Sequence, residues 1–202
     1  MTKNAYNTAF ASRIAAASAK NSTSSNVARL KRCDNIVSHQ VVSSLLERNN
    51  VSAERLLRAM YATFKAVELV AAIADHKDAN LEKNTVAMLR TLINLKRHDM
   101  LFTKADAKAS ISRDYKTTDE KQNVIFVRSA ILDEKTVNAQ HQSSIDALVT
   151  LNILKEHATL KDTFEITLNE IAVKLAAKLE IDMSDFETDE DRVSADAEEI
   201  AA

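Results

Sequence analysis

Glycine and proline are both absent from this 202-residue chain. Average usage gives roughly 14 glycines and roughly 10 prolines at such a length, and independent draws lose both with odds far below about one in a million. The usual residue for backbone with φ > 0 and the usual turn-setter are therefore missing. So are the phosphate and nucleophile motifs built on glycine: the Walker P-loop, the dinucleotide-binding fingerprint, the kinase Gly-rich loop, the DFG sequence, the nucleophile elbow and the usual EF-hand loop. Tryptophan is absent too, and the aromatics are three Tyr and six Phe. Aliphatic side chains and alanines have to fill the core.

The single cysteine, Cys33, excludes a disulfide framework and a Cys-rich zinc site. It reads as a half-buried small side chain, with a thiol activated by Lys31 and Arg32 as the lesser reading. No run reaches the roughly 18 apolar residues of a membrane span, and no apolar h-region marks a secretory signal. An intracellular or virion location is the expectation, and the Asn21-Ser22-Thr23 and Asn50-Val51-Ser52 glycosylation patterns read as chance matches.

The net charge of −2 conceals a segregation. Residues 1–33 carry Lys3, Arg13, Lys20, Arg29, Lys31 and Arg32 and no acid, a charge of +6. Residues 34–181 balance to zero, and residues 182–202 hold nine acids against Arg192, a charge of −8. A basic head, a neutral body and an acidic tail define the zones. As domains, the expectation is a basic arm over 1–26, a helical body over 27–181 and the tail over 182–202.

Apolar spacing predicts an all-α protein of five to seven helices, an elongated bundle or helical hairpins with coiled-coil-like pieces. Tyr6, Phe10, Ile14 and Ala17 share a face of a helix over 5–20, and the Asn/Ser/Thr run 21–26 ends it. Val27, Leu30, Val37, Val41 and Leu45 form a stripe over 27–48. Asn49-Asn50 closes that helix, asparagine standing in for the missing C-terminal glycine. Ser52 caps a helix over 53–76 lined by Leu57, Met60, Tyr61, Phe64, Val67, Ala71 and Ala74. A further helix runs over about 81–101, with Asn80 as its N-cap. Residues 103–123 carry the weakest pattern and read as partial helix, with a Thr117/Glu120 capping box opening a helix toward Leu154 and a break near 138–144. An Asp162/Glu165 signal opens a last helix, on which Phe164, Leu168, Ile171 and Leu175 form a short heptad seam. Asn123–Val127 and Phe164–Leu168 also have strand character. Helix is favoured for both, because favoured two-residue hairpin turns want φ > 0.

Histidines 39, 76, 98, 141 and 157 show no HxxxH or HExxH spacing. The acids of Asp75-His76-Lys77-Asp78 and Glu156-His157 read as exposed helix ends. No catalytic set, metal or cofactor site is assigned. Two surface features remain. The basic head, through Lys3, Arg13, Lys20, Arg29, Lys31 and Arg32, fits an anion or nucleic acid, with an organelle transit peptide as a lesser reading. Arg29, Lys31 and Arg32 crowd a helix start against its dipole, which calls for an anionic partner. In the tail, Phe186, Val193, Ala197 and Ile200 recur at helical spacing among acids, the shape of a segment that docks in a basic, apolar-floored groove.

These features predict a non-enzymatic helical assembly or adaptor protein, oligomeric through protein–protein contact or self-association. The alternative is a nucleic-acid-binding packaging or accessory protein, with a virion component suiting either.

Overall fold

The computed structural model describes residues 3–112, 116–118, 124–126 and 134–183. Side chains are described for 5–112 and 134–183. The chain is mostly helical. Its helices are α1 (Lys3–Lys20), α2 (Ser25–Val37), α3 (Gln40–Arg48), α4 (Ala53–Leu56), α5 (Met60–Ile73), α6 (Lys83–Arg97), α7 (Lys104–Ile111), α8 (Glu134–Thr150) and α9 (Glu170–Lys178). Strands β1 (Phe102–Thr103), β4 (Leu154–Glu156) and β5 (Thr163–Ile166) make an antiparallel sheet in the order β1-β5-β4. Strands β2 (Lys116–Thr118) and β3 (Val124–Phe126) form a separate antiparallel pair.

Helix α5 is the axis of the fold. Every residue from Ala62 to Ala72 is buried, as expected of a helix that is apolar almost all round. It is enclosed by α2, α3, α4, α8 and α9. Phe64, Val67, Leu69 and Val70 pack in one continuous core with Leu30 and Ile36 of α2, Leu148 of α8 and Leu175 of α9. Alanines at 62, 66, 71 and 72 line the same helix, and small side chains let neighbouring helices come close without aromatic filler.

The first helix is part of this body. Tyr6 and Phe10 are both fully buried in the main core, and Ile14 and Ala17 pack partly against it. The Tyr6 hydroxyl donates to the Val51 carbonyl, so the helix is tied by hydrogen bonding as well as by burial. Residues 3–26 are not set apart as a free arm.

Helix ends explain how the chain folds without glycine. Asn50, Asp75, Asp99, Asn152 and Glu180 all have φ between 51° and 58°. Each is followed by a residue whose N–H reaches back five positions: Val51 to Leu46, His76 to Ala71, Met100 to Leu95, Ile153 to Leu148, and Ile181 to Ala176. That is the Schellman closure, with Asn, Asp or Glu in the left-handed place that glycine usually takes. At the other ends, Ser24, Ser52 and Asn169 accept backbone N–H groups of Val27, Arg55 and Ala172. Thr103 and Asp106 form a reciprocal capping box.

Several expected elements differ. The 27–48 helix breaks at Ser38–His39, and 53–76 breaks after Leu56. Each break resets the helical phase, which turns Val41 and Tyr61 outward, 53% and 57% exposed, while Val42 and Phe64 go in. Helix α8 runs unbroken through 138–144. Thr117 lies in β2 rather than in a helix cap, and Asn80 does not cap α6, which starts after Glu82. These breaks, together with α7, give nine helices among the described residues in place of five to seven.

The heptad seam is also corrected. Phe164 lies on β5, Leu168 in the following loop, and only Ile171 and Leu175 on α9. Alternation won because β5 has partners on both sides: Phe102↔Phe164 on β1, and Leu154↔Ile166 on β4. The turn from β4 to β5 avoids the two-residue problem by being longer. His157 Nδ1 accepts the N–H groups of Thr159 and Leu160, and Asp162 supplies φ of 55°.

Glu180 is the one left-handed residue of these that is not Asn or Asp, and its side chain is exposed. A non-glycine residue in the left-handed region costs about 1–2 kcal/mol, partly offset by the greater chain entropy that glycine loses on folding. Glu180→Gly should therefore raise stability by about 1 kcal/mol in urea denaturation, whereas Glu180→Ala should not.

Candidate functional site

The six head cations separate into two groups. Arg32 is half-buried and has partners in its own chain: one guanidinium nitrogen lies 3.5 Å from Glu68 Oε1 and another donates to the Asp78 carbonyl. Arg29 lies over the Phe64 ring, 4.2 Å from its centre, a cation–π contact. These two residues thus meet an acid and an aromatic face within their own chain. Arg13 and Lys20 are exposed on α1 and Lys31 is exposed on α2, and none of the three forms an ion pair among the described residues. Lys3 stands in the first turn of α1.

Arg13, Ala16, Ala17 and Lys20 fall at i, i+3, i+4 and i+7, one stripe of α1. With Asn21, Ser24, Asn26 and Met60 they line an open groove of 220 Å3. Alanines and a methionine make its floor, and a cation stands at each end of the stripe. A second, shallower depression of 350 Å3 is lined by Ala72, Asp75, His76, Ala79, Asn80, Leu81 and Lys178. There Lys178 pairs with Asp75.

Inside the protein, the two charges of α5 are gathered into polar contacts that the sequence reading missed. Lys65 Nζ donates to Glu82 Oε2 at 3.0 Å and to Ser144 Oγ at 2.8 Å. Thr85 donates to Glu82 at 2.7 Å and lies 3.0 Å from Ser144 Oγ. With the Thr85 hydrogen committed to Glu82, Ser144 is the donor to Thr85, and the ring closes. It ties α5, the start of α6 and α8 together. Burial pushes the Lys65 pKa down, and the Glu82 carboxylate opposes that shift. Burial likewise pushes Glu68 up, against Arg32 and Arg29. The only signal in the sequence was a lysine and a glutamate three apart inside an otherwise apolar run.

Lys65 and Ser144 at 2.8 Å resemble a nucleophile–base pair. The hydrogen-bond directions give the opposite order: Lys65 donates to Ser144, and Ser144 itself is fully buried. The arrangement serves as a clasp between helices. Cys33 is buried, and its thiol is pushed up to about 12, mainly by burial and then by Glu68, with Arg29 and Arg32 too weak to reverse it. It stays protonated, so the activated-thiol reading fails.

His39 and His76 meet edge to face at 5.7 Å, and His98 is exposed at the end of α6. No group of three or more metal-ligating side chains occurs among the described residues. No helix among them is long and apolar enough to cross a membrane. Phe186, Val193, Ala197 and Ile200 lie outside the described residues. No protein-family model matches the chain, and no curated protein or solved structure matches it.

His141 on α8 is the histidine with the clearest energetic consequence. It is 6% exposed, its Nδ1 bonds the Val137 carbonyl, and its Nε2 is buried without a hydrogen-bond partner. Burial lowers its pKa, and the nearby charges are Lys108 and Lys104 of α7, which lower it further. Above the unfolded value of about 6.5 the imidazole is neutral in both states. Below it the unfolded chain takes a proton that the native site resists, so stability falls as pH falls. The loss between pH 7.5 and 5.5 should be up to about 1.4 kcal/mol. Urea melts at the two pH values should show this loss shrinking in His141→Gln.

Proposed function

We propose that this protein is a non-enzymatic helical assembly or adaptor protein whose copies associate through the basic head of one and the acidic tail of another. The observation that carries this reading is the groove on α1: two exposed cations without internal acids, flanking a floor of alanine and methionine. A tail bearing eight units of net negative charge and a thin apolar stripe has the complementary composition. The inward charges support the same division of labour, since Lys65, Glu68, Arg32 and Glu82 are satisfied within the chain and leave the ends for outside contact. A head-to-tail contact is heterologous, so it extends to rings or filaments rather than stopping at a two-fold dimer. The coiled-coil pieces of the sequence reading are not needed for it. Sedimentation velocity at micromolar concentration should show association at about 50 mM salt and loss of it near 500 mM, where charge screening is short-ranged. A monomer at both salts contradicts the proposal.

A nucleic-acid reading retains one supporting observation, the exposure of Arg13, Lys20 and Lys31. With Arg32 paired to Glu68 and Arg29 over the Phe64 ring, four of the six head cations, Lys3, Arg13, Lys20 and Lys31, are left for phosphates, for a salt slope of about −3.6 in log–log form. Deleting residues 1–33 is not a clean test, because Tyr6 and Phe10 are core residues. Arg13→Glu/Lys20→Glu/Lys31→Glu should abolish any duplex-DNA binding in a gel shift without lowering the melting temperature, and equal binding by both chains excludes this reading.

A further inference from the structure

We propose that the groove between α1 and the start of α2 receives residues 184–202 of a second copy, with Phe186 as the side chain that enters it. This rests on the assembly reading and names its contact. The groove is a place for one ring. At 220 Å3 it exceeds the roughly 150 Å3 cavity that holds benzene in an engineered protein core. Its floor of Ala16, Ala17 and Met60 is apolar and has no side chain bulky enough to fill it. Phe186 is the one aromatic residue beyond Phe164, and Asp185 and Glu187 flank it. Arg13 and Lys20 stand about 10 Å apart along α1, seven residues at 1.5 Å each. Acids on either side of a seated ring therefore meet a cation at each end. Arg29 extends the positive face, one turn along α2 from the groove residue Asn26.

The path of the chain favours another copy's tail. The described chain leaves along α6, where Arg90 donates to the Leu179 carbonyl and Arg97 to the Asp182 carbonyl. Lys178 pairs there with Asp75, just past the C-terminal end of α5. The groove instead abuts Met60, the first residue of α5. Lys178, five residues before the described chain ends, is thus held at the other end of a helix about 21 Å long from the groove.

The test uses the full chain with Phe186→Trp, since the protein has no other tryptophan. At about 50 mM salt, association should rise with concentration, and the Trp emission should shift to the blue as it does. Adding Arg13→Glu and Lys20→Glu should weaken association roughly tenfold or more and return the emission to that of a water-exposed indole. Both cations are exposed, so helicity and melting should stay unchanged. Association that occurs without a blue shift, or that ignores the charge reversal, overturns the groove assignment and leaves the assembly reading standing. A blue shift in a chain that stays monomeric means the tail sits in its own groove and overturns both. No association and no blue shift also overturn both. Loss of duplex-DNA binding on charge reversal, with association unchanged, makes the groove a phosphate site and overturns the proposal.

Discussion

Enclosure of α5 on every side is the constraint from which the rest of the architecture follows. A helix buried from Ala62 to Ala72 needs neighbours all round, and α2, α3, α4, α8 and α9 supply them. The same helix carries Lys65 and Glu68 into the interior. Buried charges are tolerated only when paired and hydrogen-bonded. That requirement sets where the partners come from: Arg32 from α2, Glu82 and Thr85 from the start of α6, Ser144 from α8. The ionic contacts and the apolar packing thus specify the same neighbours.

Much of this was legible where the governing interaction is local. The Ser52 cap, the Asn49-Asn50 ending and the inward face of Tyr6 and Phe10 all depend on residues within a turn or two. What was not legible depends on distant partners. Residues 163–166 carry both a heptad spacing and an alternation, and the choice between them was made by Phe102 and Leu154, far away in sequence. The helix breaks at Ser38–His39 and after Leu56 belong to the same class, because no glycine or proline marks them. The seam through Phe164, Leu168, Ile171 and Leu175 failed for this reason. Of the head cations, the sequence showed Arg29, Lys31 and Arg32 as a cluster at a helix start, whereas they lie in the middle of α2 and Arg32 alone pairs with Glu68. The groove on α1 was visible only as the spacing of Arg13, Ala16, Ala17 and Lys20.

The missing glycine turns out to be replaced rather than avoided. Left-handed residues end five helices, and Asn, Asp or Glu fills each place. The composition therefore does not simplify the backbone. Its consequence is chemical: no glycine-lined loop exists to cradle a phosphate, and interactions fall to side chains on helix surfaces. Within the described residues, the charges of Lys65, Glu68, Arg32 and Glu82 hold the helices together, and the proposed assembly uses the exposed cations of α1.

The most direct measurement of that last claim mixes two variants that each lack one half of the contact. One carries Arg13→Glu and Lys20→Glu with an intact tail; the other has an intact groove and lacks residues 184–202. Each alone should be monomeric, and the mixture should give one-to-one dimers that grow no further, because each pair has a single usable groove and a single usable tail. Monomers in the mixture, or self-association by either variant alone, contradict head-to-tail assembly through the α1 groove.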